Sequence, residues 1–207
     1  MNEIMKGVDV VAHILKEEKV DYLFCFPANK LIDSAAKVGI RPIMTRTERT
    51  LVNMADGFSR ISNGNQIGVA VVQSGPGSEN AFAGVAQAFA DSIPILMLPG
   101  GVSRRSGDIP THFSSVKNYA HVTKWVAQAN FADRLPNMLR RAYSLLRSGH
   151  PAPVMIEIPT DVGEEDVSDY AYTPPKPIKS IADPVNVKNA VDSLLMAKRP
   201  ILFIGQG

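Results

Sequence analysis

The run I-G-V-A-V-V-Q-S-G-P-G-S-E-N, Ile67 to Asn80, decides the fold. Ile67 to Val72 is apolar without a break, the pattern of a strand covered on both faces. It runs straight into Ser74-Gly75-Pro76-Gly77, a cluster that ends regular structure. A helix of small residues, Ser78 to Ala90, follows, and Ala81, Ala83, Gly84, Ala86 and Ala88 in it allow close helix packing. Strand, tight corner and helix together make half of a βαβ unit.

The same alternation extends in both directions. Upstream, Val8 to Glu18 reads as a surface helix, Asp21 to Phe26 as a buried strand and Lys30 to Val38 as a helix. Arg41 to Met44 is a short strand. It leads into a helix from Glu48 whose apolar stripe is Leu51, Met54, Ala55 and Phe58. Downstream, Ile93 to Leu98, Lys124 to Ala127 and Pro153 to Ile158 read as strands, with helices at Ser114 to Tyr119 and Phe131 to Leu146. The expected fold class is therefore α/β: a three-layer domain with a central, mostly parallel sheet of about six strands flanked by helices.

Ligands on such sheets bind at the carboxyl ends of the strands. Four corners fall on that edge: Pro27-Ala28-Asn29, Thr45 to Arg49, Ser74 to Gly77, and Pro99 onward. Domain boundaries follow from texture. Residues 1–163 form the α/β domain, and 164–185, acidic and then rich in proline and lysine, is a linker. Residues 186–207 resemble a helix and the first strand (Pro200 to Ile204) of a second α/β unit. A lone strand cannot bury its own faces, so the expectation is a domain cut short, from the front of a longer polypeptide.

Composition excludes several classes. The 22 Lys and Arg against 20 Asp and Glu are dispersed, with no basic stripe for nucleic acid. The longest apolar run, Ile93 to Gly101, is too short for a membrane span. The N-terminus lacks the pattern of a signal peptide. A single cysteine, Cys25, forms no internal disulfide and sits in a strand-like run, as a core residue would. The expectation is a soluble, cytoplasmic protein. The four histidines show no metal-ligand spacing, so no metal site is expected on these residues. Gly75-Pro76-Gly77 starts like a dinucleotide fingerprint, but proline occupies its centre and residue 80 is asparagine. Ser74 is not in a nucleophile elbow. Glu48 opens its helix where backbone N–H groups favour negative charge. Thr45 and Glu48 also have capping-box spacing, which would give the carboxylate a purely structural task.

Six segments carry a likeness together. They are F-C-F-P-A (Phe24 to Ala28), T-E-R-T-L-V-N-M-A-D-G-F-S-R (Thr47 to Arg60), S-G-P-G-S-E-N (Ser74 to Asn80), A-F-A-D-S-I-P-I (Ala88 to Ile95), T-K-W (Thr123 to Trp125) and P-V-M-I-E-I-P-T-D-V (Pro153 to Val162). In order and spacing the chain resembles the pyrimidine-binding N-terminal domain of thiamine-diphosphate-dependent enzymes, in their acetolactate synthase-like or pyruvate oxidase-like branch. The likeness extends over essentially the whole chain.

The resemblance implies a lyase or transferase acting on 2-oxo acids by decarboxylation, carboligation or both. It assigns Glu48 as the catalytic glutamate that hydrogen-bonds N1′ of the cofactor's aminopyrimidine. It places Pro27, Ala28, Thr47, Ser74, Gly75, Pro76 and Asn80 around the cofactor, and Asn29, Thr111 and His112 on the substrate side. Read from the residues alone, Asn80 serves equally as a first-turn helix hydrogen-bonder and His112 as a solvated loop residue. Thiamine diphosphate and Mg²⁺ are the implied cofactors. The diphosphate and metal ligands belong to a C-terminal domain with a G-D-G…N motif that this chain lacks, and FAD is not legible here. The implied assembly is a homodimer or tetramer formed through this domain, since the glutamate serves cofactor bound mainly by another subunit. The fragment alone is then inactive.

The sequence departs from the family at Thr47, where His is common, at Arg49, and at Ala28, where glycine is expected. Ile109-Pro110-Thr111-His112 stands where the family has A-F-Q-E. These departures leave the substrate and acceptor open, acetolactate formation included. Two other readings remain: a non-catalytic dimerising module of the same fold, and the small subunit of a two-chain 2-oxo acid decarboxylase.

Overall fold

The computed structural model describes residues 4–107, 109, 112–178 and 180–205. Six strands form one sheet: β2 (Tyr22–Cys25), β3 (Arg41–Met44), β4 (Gly68–Val72), β5 (Ile95–Gly101), β6 (Trp125–Gln128) and β7 (Val154–Pro159). Their spatial order is β3-β2-β4-β5-β7-β6 and every pairing is parallel. The expected three-layer α/β domain is thus present. A two-residue strand, β1 (Met5–Lys6), pairs antiparallel with β8 (Asp166–Val167) in a separate ribbon. The sequence showed no sign of this ribbon.

Helices α1 (Gly7–Glu17), α2 (Leu31–Lys37) and α6 (Leu135–Leu146) bury Val11, Ile14, Leu31, Leu135 and Leu139 against one face of the sheet. Helices α3 (Glu48–Ile61), α4 (Pro76–Ala90) and α5 (Ser115–Tyr119) bury Leu51, Val52, Ala81, Val85 and Tyr119 against the other. The division follows from crossover hand. The connections β2-α2-β3 and β6-α6-β7 step one way along the sheet, and those through α3, α4 and α5 step the opposite way. A constant hand puts the two groups on opposite faces.

α3 sits unusually close to the sheet. A Cβ on Gly68 would stand 2.1 Å from the Ala55 carbonyl oxygen, so only glycine lets the helix backbone rest on β4. Ser59 completes the contact. Its buried hydroxyl donates to the Pro94 carbonyl at 2.7 Å and accepts from the Gly68 N–H at 2.8 Å. Gly84 does the same for the helix pair, where an added Cβ would lie 2.8 Å from Val52 Cγ1. The buried face of α3 is therefore Leu51, Val52, Ala55 and Ser59, with Phe58 half-buried and Met54 exposed. This corrects the expected stripe: a helix wedged between a sheet and a second helix buries a broader face, rotated toward that helix.

Cys25 is a core residue, and burial pushes its thiol up to about 11, so it stays protonated. Lys124, of the T-K-W segment, caps the end of α6: its ammonium donates to the carbonyls of Leu145, Ser148 and His150.

After the one-turn helix α7 (Thr160–Gly163) and β8, the chain is tied back along the domain. Arg140 donates to the Ala171 carbonyl at 2.9 Å, and Tyr172 donates to Glu18. Glu18, its side chain fully buried, also meets Arg147 at 2.6 Å. Beyond it, α8 (Pro184–Met196) buries no residue, and 201–205 has no regular structure. The expected strand from Pro200 to Ile204 is absent, because none of the described strands pairs with it.

Two substitutions test this account by urea unfolding. Gly68→Ala should destabilise the domain by about 3 kcal/mol, because backbone cannot yield as a side chain can. Ala28 holds the left-handed backbone region with φ of 78°, a strained choice for alanine. Ala28→Gly should therefore gain roughly 0.5 kcal/mol, the relief of strain exceeding the extra freedom given to the unfolded chain.

Candidate functional site

The chain steps from β2 outward to β3, then returns to β4 on the other side of β2. At that switch α2 and α4 leave the adjacent strands β2 and β4 on opposite faces, opening a crevice at their carboxyl ends. The corner after β2 is Pro27-Ala28-Asn29. The Asn29 amide fixes it: Nδ2 donates to the Val72 carbonyl at 3.0 Å, across the switch, and Oδ1 accepts from the Leu31 N–H at 3.0 Å. Both ends of a side chain placed on the substrate side are thus used to hold the loop.

The corner after β4 is Ser74-Gly75-Pro76. Gly75 has φ 62° and ψ −112°, a conformation for glycine, although a Cβ there would meet only open space. Pro76 then starts α4, where its missing N–H costs nothing. α5 braces this corner, since fully buried Tyr119 donates to the Ser78 carbonyl at 2.6 Å and Ser115 to the Ser78 hydroxyl at 3.1 Å. Burial raises the Tyr119 phenol above its ordinary range, so it remains a donor.

Glu48 lies in the third corner, after β3. The capping box is not formed. Thr47 is the cap, its hydroxyl accepting from the Thr50 N–H at 3.3 Å, while Thr45 donates its N–H to the Cys25 carbonyl. Glu48 is therefore the first helical residue, and it is 6% exposed. Among the described residues its carboxylate has no hydrogen-bond or ion-pair partner. The helix N-terminus favours the charge, but nothing in the chain consumes its hydrogen-bonding capacity. An amino-pyrimidine nitrogen that shares a proton with a carboxylate is the kind of group this arrangement fits.

A cleft of about 520 Å³ opens on the same edge and gathers Pro27, Ala28, Asn29 and Ser74. Thr47 and Glu48 stand at the neighbouring corner, outside its lining, as do Gly75 and Pro76. Asn80 is exposed one turn into α4, without the first-turn hydrogen bond weighed above. His112 is exposed and does not line the cleft, and Thr111 lies outside the described residues. Gly100, in the corner expected from Pro99 onward, also lines the cleft, and so do Lys30, Met44 and the segment Ile158–Thr160, which were not singled out from sequence. Met44 and Ile158–Thr160 follow from the same rule that strand ends carry ligands, applied to β3 and β7.

Among the described residues no group of three or more His, Cys, Asp or Glu could hold a metal. No helix among them is long and apolar enough to cross a membrane.

Comparison with known proteins agrees with this geometry. Residues 5–129 match the family described as thiamine pyrophosphate enzyme, N-terminal TPP binding domain. The chain is 32% identical to the acetolactate synthase large subunit of Haemophilus influenzae, over 98% of this chain and 37% of that protein. It is 30% identical to the acetolactate synthase isozyme 3 large subunit of Escherichia coli, over 99% and 38%. It is 32% identical to the glyoxylate carboligase of Escherichia coli O157:H7, over 98% and 35%. The chain spans a little over a third of the length of these relatives. With the sheet, the switch-point corners and the similarity pointing one way, the chain belongs to the thiamine pyrophosphate enzymes and carries their N-terminal TPP-binding domain.

Proposed function

We propose that this chain is the cofactor-activating part of a thiamine-diphosphate-dependent enzyme of the acetolactate synthase type, acting on 2-oxo acids by decarboxylation, carboligation or both. The observation that carries the reading is Glu48: a buried, partnerless carboxylate at the head of α3, in a chain of this family. When bound, thiamine diphosphate supplies a carbon nucleophile and an electron sink for the bond beside the keto group. Glu48 holds a proton between its carboxylate and N1′ of the aminopyrimidine. The corner Ser74-Gly75-Pro76 borders the same ring, with Thr47 and Asn80 beside it. Pro27 and Ala28 flank the reacting centre, and the cleft opens beyond them.

In this reading Mg²⁺ and the diphosphate are held by a separate C-terminal domain, and two copies of the N-terminal domain meet so that Glu48 serves a cofactor seated largely on the partner. The sequence resemblance supports both statements. Residues 1–163 are the pyrimidine-binding domain, 164–185 the linker and 186–207 the opening of a further domain. The tail supports this boundary, since Val187, Val191, Leu195 and Phe203 are all exposed there.

Glu48→Gln, made in the polypeptide that joins this domain to its diphosphate-binding part, tests the reading. Exchange of the thiazolium C2 proton should slow roughly 100-fold or more, the scale of acid–base assistance. The unfolding midpoint should hold or rise, because a neutral amide is cheaper to bury than an unpaired carboxylate. Exchange at the wild-type rate would remove Glu48 from the mechanism.

A further inference from the structure

We infer that Lys30 is the residue that receives the substrate's carboxylate, in exchange for the Glu164 carboxylate it pairs with in this structure; this rests on the reading of the chain as acting on 2-oxo acids. A 2-oxo acid presents three features to a site: an anionic carboxylate, a keto carbon and an alkyl group. The cleft offers apolar walls from Val8, Ile32, Met44 and Ile158 for the alkyl group. Among the described residues lining it, Lys30 is the one cation. Asp33 and Glu164, the acidic residues in the lining, would repel an anion.

Lys30 is well placed for this. It follows the Pro27-Ala28-Asn29 corner directly, and the Asn29 bonds to Val72 and Leu31 fix the backbone that carries it. Its ammonium stands 2.7 Å from Glu164 Oε1, with the two side chains 68% and 43% exposed. Pairs this exposed are held weakly, so an arriving carboxylate can displace Glu164. Substrate filling the cleft displaces water from around Lys30, and the lower dielectric strengthens the new pair. Exchange of one carboxylate for another keeps the lysine charge compensated throughout.

The test uses the assembled enzyme with thiamine diphosphate and Mg²⁺. Pyruvate, 2-oxobutyrate and glyoxylate are assayed, and the methyl ester of the best of them, which lacks the negative charge and cannot lose CO₂, is then titrated as a competitive inhibitor of its turnover. Lys30→Met should raise KM for the acid roughly tenfold, equivalent to ~1.4 kcal/mol of binding. It should leave kcat within about twofold and the inhibition constant of the ester unchanged, so the preference for binding acid over ester collapses. Lys30→Arg should keep that preference, and Glu164→Gln should lower KM for the acid. If Lys30→Met leaves the acid-to-ester preference intact, the Lys30–Glu164 contact is only a surface ion pair and the inference fails while the proposed function stands. If the wild-type enzyme turns over none of the three acids yet retains Glu48-dependent C2 exchange, the 2-oxo acid reading fails and this inference with it.

Discussion

The seating of α3 on β4 governs the rest of the molecule. A helix that starts with a carboxylate can aim it only if its axis is fixed, and here backbone contact does the fixing. Gly68 removes the side chain that would lift the helix, and the Ser59 hydroxyl joins the helix to both Gly68 and Pro94. Further along, Arg60 bonds Asp56 within the helix and Asp91 beyond the end of α4, locking the far end of the pair. With α3 held at both its middle and its end, Glu48 is left at a defined height above the sheet, largely enclosed and without a partner among the described residues. A carboxylate so nearly enclosed, with no partner in the chain, has its hydrogen-bonding capacity free for a ligand.

The second constraint is topological. One outward step and one return, with crossovers of a single hand, suffice to part α2 from α4 and to create the crevice between β2 and β4. No special residue is needed for the opening itself. Special residues appear where it must be kept rigid, as at Asn29, Gly75 and the strained backbone of Ala28. Strain of that kind persists where surrounding contacts over-determine it, and the double use of the Asn29 amide is such a contact.

The six strands were legible because a parallel sheet buried on both faces demands unbroken apolar runs such as Gly68 to Val72. The corners were legible because glycine, proline and asparagine announce them. The facing of α3 was not, since periodicity shows that a helix has an apolar side but not that Val52 turns toward Gly84 while Met54 turns outward. Whether Thr45 and Glu48 formed a box was equally hidden, because Thr47 supplies a competing cap of the same chemistry. The ribbon of Met5 and Lys6 with Asp166 and Val167 depends on pairing across the whole chain and leaves no local mark. Within the site, Gly100 fell in an expected corner, but the lining by Met44 and Ile158 followed from strand order, which the linear sequence did not contain. Lys30 looked like an ordinary helix-opening residue until the cleft beside it was visible.

The strap from Glu165 to Ile178 begins beside the crevice and finishes against Glu18, Arg147 and Ser148, where α1 and α6 end. Those helix ends lead into the starts of β2 and β7, at the opposite pole of the domain from the corners. Tension drawn along the tail would therefore load the Tyr172–Glu18 and Arg140–Ala171 contacts in shear. The strain would be absorbed at that pole, and the carboxylate of Glu48 would remain mechanically insulated from it.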